Sequence, residues 1–289
     1  MSAMKISEIL KNHDKGFAFE FFPPKNELAQ ESFKATVEVL KKYNPMYTSM
    51  TYGAGGKTRE QTREAVEVLL KEKISEVMPH FTCVGATKNM AHIILDGYKH
   101  HGIENIMALR GDPPQDMPGF DFRSQELSYG SDLVKFIKAN YNFCAGIAVY
   151  PEGHVECKSL DEDMGFTKIK VDSGADFAVT QMFFDNKQFY AFIDRMKKKN
   201  INIPVMPGIL PLIDVAKVKK MAVVCRATIP HAIEAKMESL RSDPAAMMHA
   251  GLDFTINQCR DLMKNGFTKL HFFTLNQPVT IKKILDALA

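Results

Sequence analysis

Residues 143–182 read FCAGIAVYPEGHVECKSLDEDMGFTKIKVDSGADFAVTQM. An apolar run over 143–149 ends at Tyr150-Pro151-Glu152-Gly153-His154, helical patterning follows over 161–173, and a second apolar run covers 177–182. Short apolar runs bounded by turn residues read as strands buried on both faces. Strand, helix and strand in that order form a unit that joins parallel strands through a right-handed crossover. The alternation continues outward in both directions. Further strands are expected at 17–22, 47–51, 77–83, 106–109, 203–207 and 269–273. Helical patterning fills 28–43, 58–71, 89–100, 131–140, 187–199 and 213–224, and 280–288 reads as a closing helix. In the second of these, Ala65, Val66, Leu69 and Leu70 fall on one helix face. Eight strand-and-helix repeats predict an α/β fold, a (β/α)8 TIM barrel rather than an open sheet. The interval 212–266 holds about three helical patterns, so extra helices are expected between strands 7 and 8. Pro230 and Pro244 mark where two of them begin. Composition does not shift along the chain, which predicts a single barrel domain over 1–289.

The net charge of +3 is too small to suggest nucleic-acid binding. The five cysteines, Cys83, Cys144, Cys157, Cys225 and Cys259, are odd in number and contain no CxxC pair, which argues against a disulfide framework and a zinc site. The N-terminal MSAMKISEILKNHD lacks the apolar core of a secretory signal and resembles an amphipathic helix. No apolar run is long enough for a membrane span, so a cytoplasmic protein is expected.

A barrel builds its active site from the C-terminal ends of its strands. Those ends carry Glu20, Thr51, His80, Arg110, Asp112, Tyr150, His154 and Gln181. Glu20 stands among Phe19, Phe21 and Phe22, and alternation puts Ala18, Glu20 and Phe22 on one strand face. Apolar surroundings disfavour a carboxylate, so a raised pKa is expected, suited to a general acid. The competing reading is a buried Glu paired with Lys or Arg. Taken alone, Asp112 before Pro113-Pro114 is a turn aspartate, Gln181 a satisfied core amide, and Tyr150 to His154 a rigid loop.

Other features are weaker. GAGGKT at 53–58 resembles a phosphate loop, but Thr51 occupies the position where that pattern requires its first glycine. His80, His154 and His271 could meet across a barrel mouth, but their spacing matches no known ligand set, so no metal is expected. The 17 methionines read as core filler.

FEFFPPK, TYGAGG, HFTCVGAT, ALRGDPP, YPEGH, TQMFFD, PGILP and HFFTLN occur in this order. Together they closely resemble the methylenetetrahydrofolate reductase family, from about Phe17 to Asn276. The resemblance implies a (β/α)8 barrel that holds FAD and reduces 5,10-methylenetetrahydrofolate to 5-methyltetrahydrofolate with NADH or NADPH, in ping-pong order. It implies Glu20 as the general acid and Asp112 beside flavin and folate, tuning the one and stabilising a cationic form of the other. Gln181 would contact folate and nicotinamide, with Met221 where a Phe often packs against both. Thr51, His80, Leu109, Arg110, Gly111 and Asp112 would line the flavin. Tyr129, Gly130 and Ser131 would hold its ribityl and phosphate part, and Tyr150, His154, Asp163 and Lys170 would complete the site. Phe273 and Gln277 stand where many bacterial members have Tyr and Arg, and Phe166 where Asn is frequent. These departures bear on folate and flavin recognition and leave the acid in place.

The chain resembles the compact bacterial form, for which a homo-oligomer (dimer or tetramer) is expected and control by S-adenosylmethionine is not. The readings weighed against it are another flavin barrel oxidising an amino acid, a flavin-binding subunit without catalysis, and a barrel without flavin.

Overall fold

The computed structural model describes residues 4–52, 59–114, 117 and 119–289. The GAGGKT stretch lies outside them. In chain order the elements are α1 (Ile6–Asn12), β1 (Gly16–Phe21), α2 (Glu27–Lys41), β2 (Tyr47–Met50), α3 (Arg59–Glu72), β3 (Glu76–Thr82) and α4 (Lys88–His100). They continue as β4 (Asn105–Leu109), α5 (Gly130–Asn140), β5 (Cys144–Val149), α6 (Leu160–Asp172), β6 (Phe177–Thr180) and α7 (Asn186–Lys198). The chain ends with β7 (Val205–Met206), β8 (Gly208–Ile209), α8 (Val215–Cys225), α9 (His231–Ser239), α10 (Pro244–Lys264), β9 (Lys269–Phe273) and α11 (Pro278–Leu288). Side chains in the loops cap several helices: Asn26, Thr87, Ser159, Asp185, Asp214 and Asp243 each accept a main-chain N–H of the first turn.

The strand order is β7-β6-β5-β4-β3-β2-β1-β9-β8, and every pairing is parallel. β7 and β8, at the two ends of this order, are neighbours in the chain. They are two halves of one stave broken at Pro207, which has no N–H to give a ladder. Val205 and Met206 pair with β6, whereas Gly208 and Ile209 pair with β9. The Pro207 carbonyl accepts the His271 N–H at 3.0 Å. The nine segments therefore make the eight staves of a nearly closed barrel. The expected strand at 203–207 is this split stave, and the extra helices between the last two staves are α9 and α10 beside α8.

Alternation divides the core. Phe19, Phe21, Phe81 and Phe272 point outward and pack with the helices in the larger apolar cluster. Ala18, Tyr47, Met78, Met107, Cys144, Phe177 and Met206 point inward and fill the barrel. Ile6, Ile9 and Leu10 of α1 belong to that inner cluster, so the first helix plugs the N-terminal end of the barrel. Asn105, fully buried at the start of β4, locks it in place: it accepts the Ile6 N–H at 2.7 Å and donates to the Met4 carbonyl at 3.0 Å. A third cluster, including Met182, Leu210, Leu212, Val218 and Met237, joins α8, α9 and α10 to the strand ends.

Candidate active site

The open end of the barrel is organised around Glu20. It projects inward from β1 and is 7% exposed. Its Oε2 lies 3.2 Å from His271 Nε2 on β9 and 3.3 Å from His80 Nε2 on β3, and accepts Ser49 Oγ of β2 at 3.4 Å. His80 lacks the alignment of a hydrogen bond. The main chain beneath is fixed by the HFFTLN turn. Thr274 donates both its N–H and its hydroxyl to the Glu20 carbonyl, the latter at 2.6 Å. Leu275 and Asn276 are consecutive non-glycine residues with φ of 48° and 54°. That sparsely populated conformation lets Asn276 exchange two hydrogen bonds with the main chain of Phe22.

The electrostatics correct the expectation for this carboxyl. Burial raises its pKa, but the close approach of His80 and His271 and the hydrogen bond from His271 outweigh burial and hold it at about 2 against an ordinary 4.5. The phenylalanines beside Glu20 in sequence point into the helix layer, and its neighbours in space come from other strands. Its partners are histidines, where the competing sequence reading expected Lys or Arg. His154 stays apart, its ring 4.8 Å from that of Tyr150. Among the described residues, no group of three His, Cys, Asp or Glu side chains is placed to hold a metal.

Two cavities open here. The mouth, of about 410 Å³, is lined by Glu20, His80, Gly111, Asp112, Gln181, Met221 and Phe273. A groove of about 480 Å³ is lined by Tyr129, Gly130, Ser131, Asp163, Phe166 and Lys170. Leu109, Arg110, Ala148, Tyr150 and His154 line both, so the two adjoin. Gly111 turns the chain at the junction with φ of +88°, and a Cβ there would fall 2.5 Å from Val84 Cγ1, so no other residue fits without displacement. Arg110 reaches over the junction, with Nη1 and Nη2 2.6 and 2.7 Å from the two oxygens of Glu156 and its guanidinium 4.0 Å above the Phe122 ring.

The groove suits an elongated, partly apolar anion. Its floor is the N-terminus of α5, where Gly130 and Ser131 present amides without partners inside the helix. Burial brings the Lys170 ammonium down to about 8, although Asp163 opposes the shift. Lys170 Nζ donates to the Ala148 carbonyl at 2.6 Å. Burial raises Asp163, which accepts the His154 N–H at 3.1 Å, and lowers His154. Tyr129, Phe166 and Ile169 leave apolar surface exposed around the rim.

All but one of the sequence-predicted site residues line one cavity or both. Thr51 lines neither: its N–H bonds the Phe21 carbonyl at 2.9 Å and its carbonyl accepts Thr62 Oγ1 at 3.3 Å. Phe273 faces the mouth, while Gln277 lines neither cavity and precedes α11. Sequence reasoning missed Tyr52, Cys225, Leu275 and Glu156. Cys225 was within reach, since it follows Met221 by one helical turn on α8. Glu156 carries no local signal, because only folding brings it to Arg110.

The family model "Methylenetetrahydrofolate reductase" matches residues 5–289. The chain is 35% identical over 292 residues to "Methylenetetrahydrofolate reductase 1" of Schizosaccharomyces pombe, covering 99% of this chain and 48% of that protein. It is 34% identical over 260 residues to "5,10-methylenetetrahydrofolate reductase" of Escherichia coli, covering 90% of this chain and 86% of that one. The chain thus spans about half the length of the yeast relative and most of the bacterial one. Among solved structures, a Clostridium thermocellum protein that binds two copies of 5-methyl-5,6,7,8-tetrahydrofolic acid superposes with a TM-score of 0.63, at 14% identity, over 97% of this chain and 95% of that one. At that identity the likeness concerns the fold.

Proposed function

Because the chain belongs to the methylenetetrahydrofolate reductase family, we propose that it reduces 5,10-methylenetetrahydrofolate to 5-methyltetrahydrofolate, with NADH or NADPH as reductant and FAD as cofactor. The observation that carries this reading is the shared wall of the two cavities, which puts a buried carboxyl and a groove suited to a dinucleotide on either side of one junction. When bound, FAD supplies the two-electron relay between nicotinamide and the folate methylene carbon. The residues fit it: the α5 amides and Lys170 suit its phosphates, and the exposed apolar rim suits its rings.

The chain's own groups do the rest. Glu20 delivers a proton to the folate nitrogen whose bond to the methylene carbon must open. Asp112, at the lip of the mouth, stabilises the cation that results, and its effect grows as substrate excludes water. Gln181 and Met221 line the surface on which nicotinamide and folate lie in turn. Phe273 offers that surface a ring face without a hydroxyl. One barrel domain over 1–289, a cytoplasmic homo-oligomer and a product that feeds methionine synthesis complete the reading.

Anaerobic stopped-flow at the flavin absorbance tests it. Bleaching by NADH and recovery on mixing with methylenetetrahydrofolate are expected, and Glu20→Gln should bleach yet recover at least ~100-fold more slowly. Absence of flavin absorbance after added FAD, or bleaching without recovery in the wild type, would overturn the assignment.

A further inference from the structure

Glu20 is held from one side. The three polar contacts of its carboxyl recorded among the described residues all fall on Oε2, which leaves Oε1 for a molecule in the mouth. The firmest of them comes from His271, which is fully buried and is more than a hydrogen-bond partner. Its second ring nitrogen, Nδ1, lies 3.1 Å from the hydroxyl of Tyr47, which is also fully buried. The two rings are stacked, with centroids 5.7 Å apart and planes 29° apart.

The register explains how they meet. Ala18 on β1 is flanked by Tyr47 on β2 and His271 on β9, and all three point into the barrel. Ala18 contributes only a methyl group between them in the register, so the two rings meet. Two residues further along β1, Glu20 stands between Ser49 and Phe273. One layer of the barrel interior thus consists of a Tyr–His pair, and the layer above it consists of the carboxyl that the pair supports.

Chemistry then fixes the proton positions. A carboxylate can only accept, so His271 Nε2 carries a hydrogen. In the neutral ring Nδ1 is then bare and accepts the Tyr47 hydroxyl hydrogen. In the cationic ring both nitrogens donate, and Tyr47 accepts through its oxygen.

Building on the proposed reductase activity, we propose that His271, held in a single tautomer by Tyr47, is a positioning residue that orients Glu20 for proton delivery to the folate. In the step, Glu20 carries a hydrogen on Oε1 and passes it to the folate nitrogen: the Oε1–H bond breaks as the N–H bond forms. The positive charge arises on the substrate, and Glu20 is left a carboxylate whose Oε2 accepts the Nε2 hydrogen of the neutral ring, with Tyr47 donating to Nδ1. The titratable groups around His271 are Glu20 on β1, Tyr47 on β2 and His80 on β3, with Cys144 of β5 behind Tyr47.

Tyr47→Phe keeps the ring packing and removes only the hydroxyl, and His271→Phe keeps the stacking and removes the donor to Glu20. Both are compared with wild type as FAD-loaded protein by stopped-flow from pH 6 to 9, and 15N-histidine NMR of wild type and Tyr47→Phe gives the His271 tautomer. The proposal expects wild-type His271 to be protonated at Nε2, and Tyr47→Phe to mix the tautomers. In both variants the maximal rate of the folate step should fall about 10-fold or more, with a shifted pH profile, while the half-saturating folate concentration changes little. Wild-type rates and pH profile in both variants, or an Nε2 without hydrogen in the wild type, would overturn this role alone. A wild type whose reduced flavin is never reoxidised by methylenetetrahydrofolate would overturn the reductase reading and this role with it.

Discussion

Lys170 shows how one residue can link burial to ligand binding. A lysine in the wall of a cavity must shed its proton or find an anion. Its folded pKa of about 8, below the ordinary 10.5, means that it is cationic at neutral pH at a cost to the fold. The stability its neutral form allows is fully present only above the unfolded value and is lost as pH falls through about 8. An anionic cofactor reverses that cost. Flavin affinity is therefore expected to be highest below pH 8 and to weaken as pH rises through it, by up to about tenfold per unit. Lys170→Met should bind FAD weakly at pH 7, with little pH dependence, yet be no less stable without ligand. Fluorescence titration of flavin at pH 6 to 9 checks this, and a steep pH dependence surviving in Lys170→Met would count against it. Lys170 was legible only through family resemblance, since it reads by itself as an ordinary helix lysine.

Among elements, α10 shows where periodicity stops being informative. Its start was readable from Pro244, but its seat was not. Gly251, in the middle of the helix, lies so close to the 212–213 segment that a Cβ would fall 1.8 Å from the Leu212 carbonyl oxygen. Thr255, one turn on, accepts the Leu212 N–H at 3.2 Å and donates to Gly251 at 2.8 Å. On helix propensity alone, Gly251→Ala would gain about 1 kcal/mol. Here the added methyl must push two backbones apart, and the cost of overpacking, about 1–3 kcal/mol or more, should win. A lower denaturant midpoint with an unchanged slope is the expected result, and a higher midpoint would disprove the close approach. The split stave makes the same point. A run at 203–207 reads as one strand, and only the need to pair with β6 on one side and β9 on the other breaks it at Pro207.

For the whole molecule, the uncovered groove rim and Lys170 predict that the barrel is completed by its cofactor. FAD at 100 times its dissociation constant should stabilise the fold by about 2.7 kcal/mol, visible as a higher melting temperature. A melting temperature indifferent to FAD would favour a barrel without flavin. The order of strands and helices was legible in the sequence because apolar periodicity is a local property that the (β/α)8 architecture repeats. The candidate residues at strand ends were legible for the same reason, since alternation decides which side chains point inward. What the sequence could not carry was contact across the barrel. Glu20 looked like a carboxyl among phenylalanines and proved to lie between two histidines. α1 looked like an amphipathic helix and proved to plug the barrel, and Arg110 met Glu156 only in the fold. The chain itself determined which residues face inward, because that depends on the few residues to either side. Tertiary structure alone decided their charges and partners, because these depend on groups brought together by barrel closure.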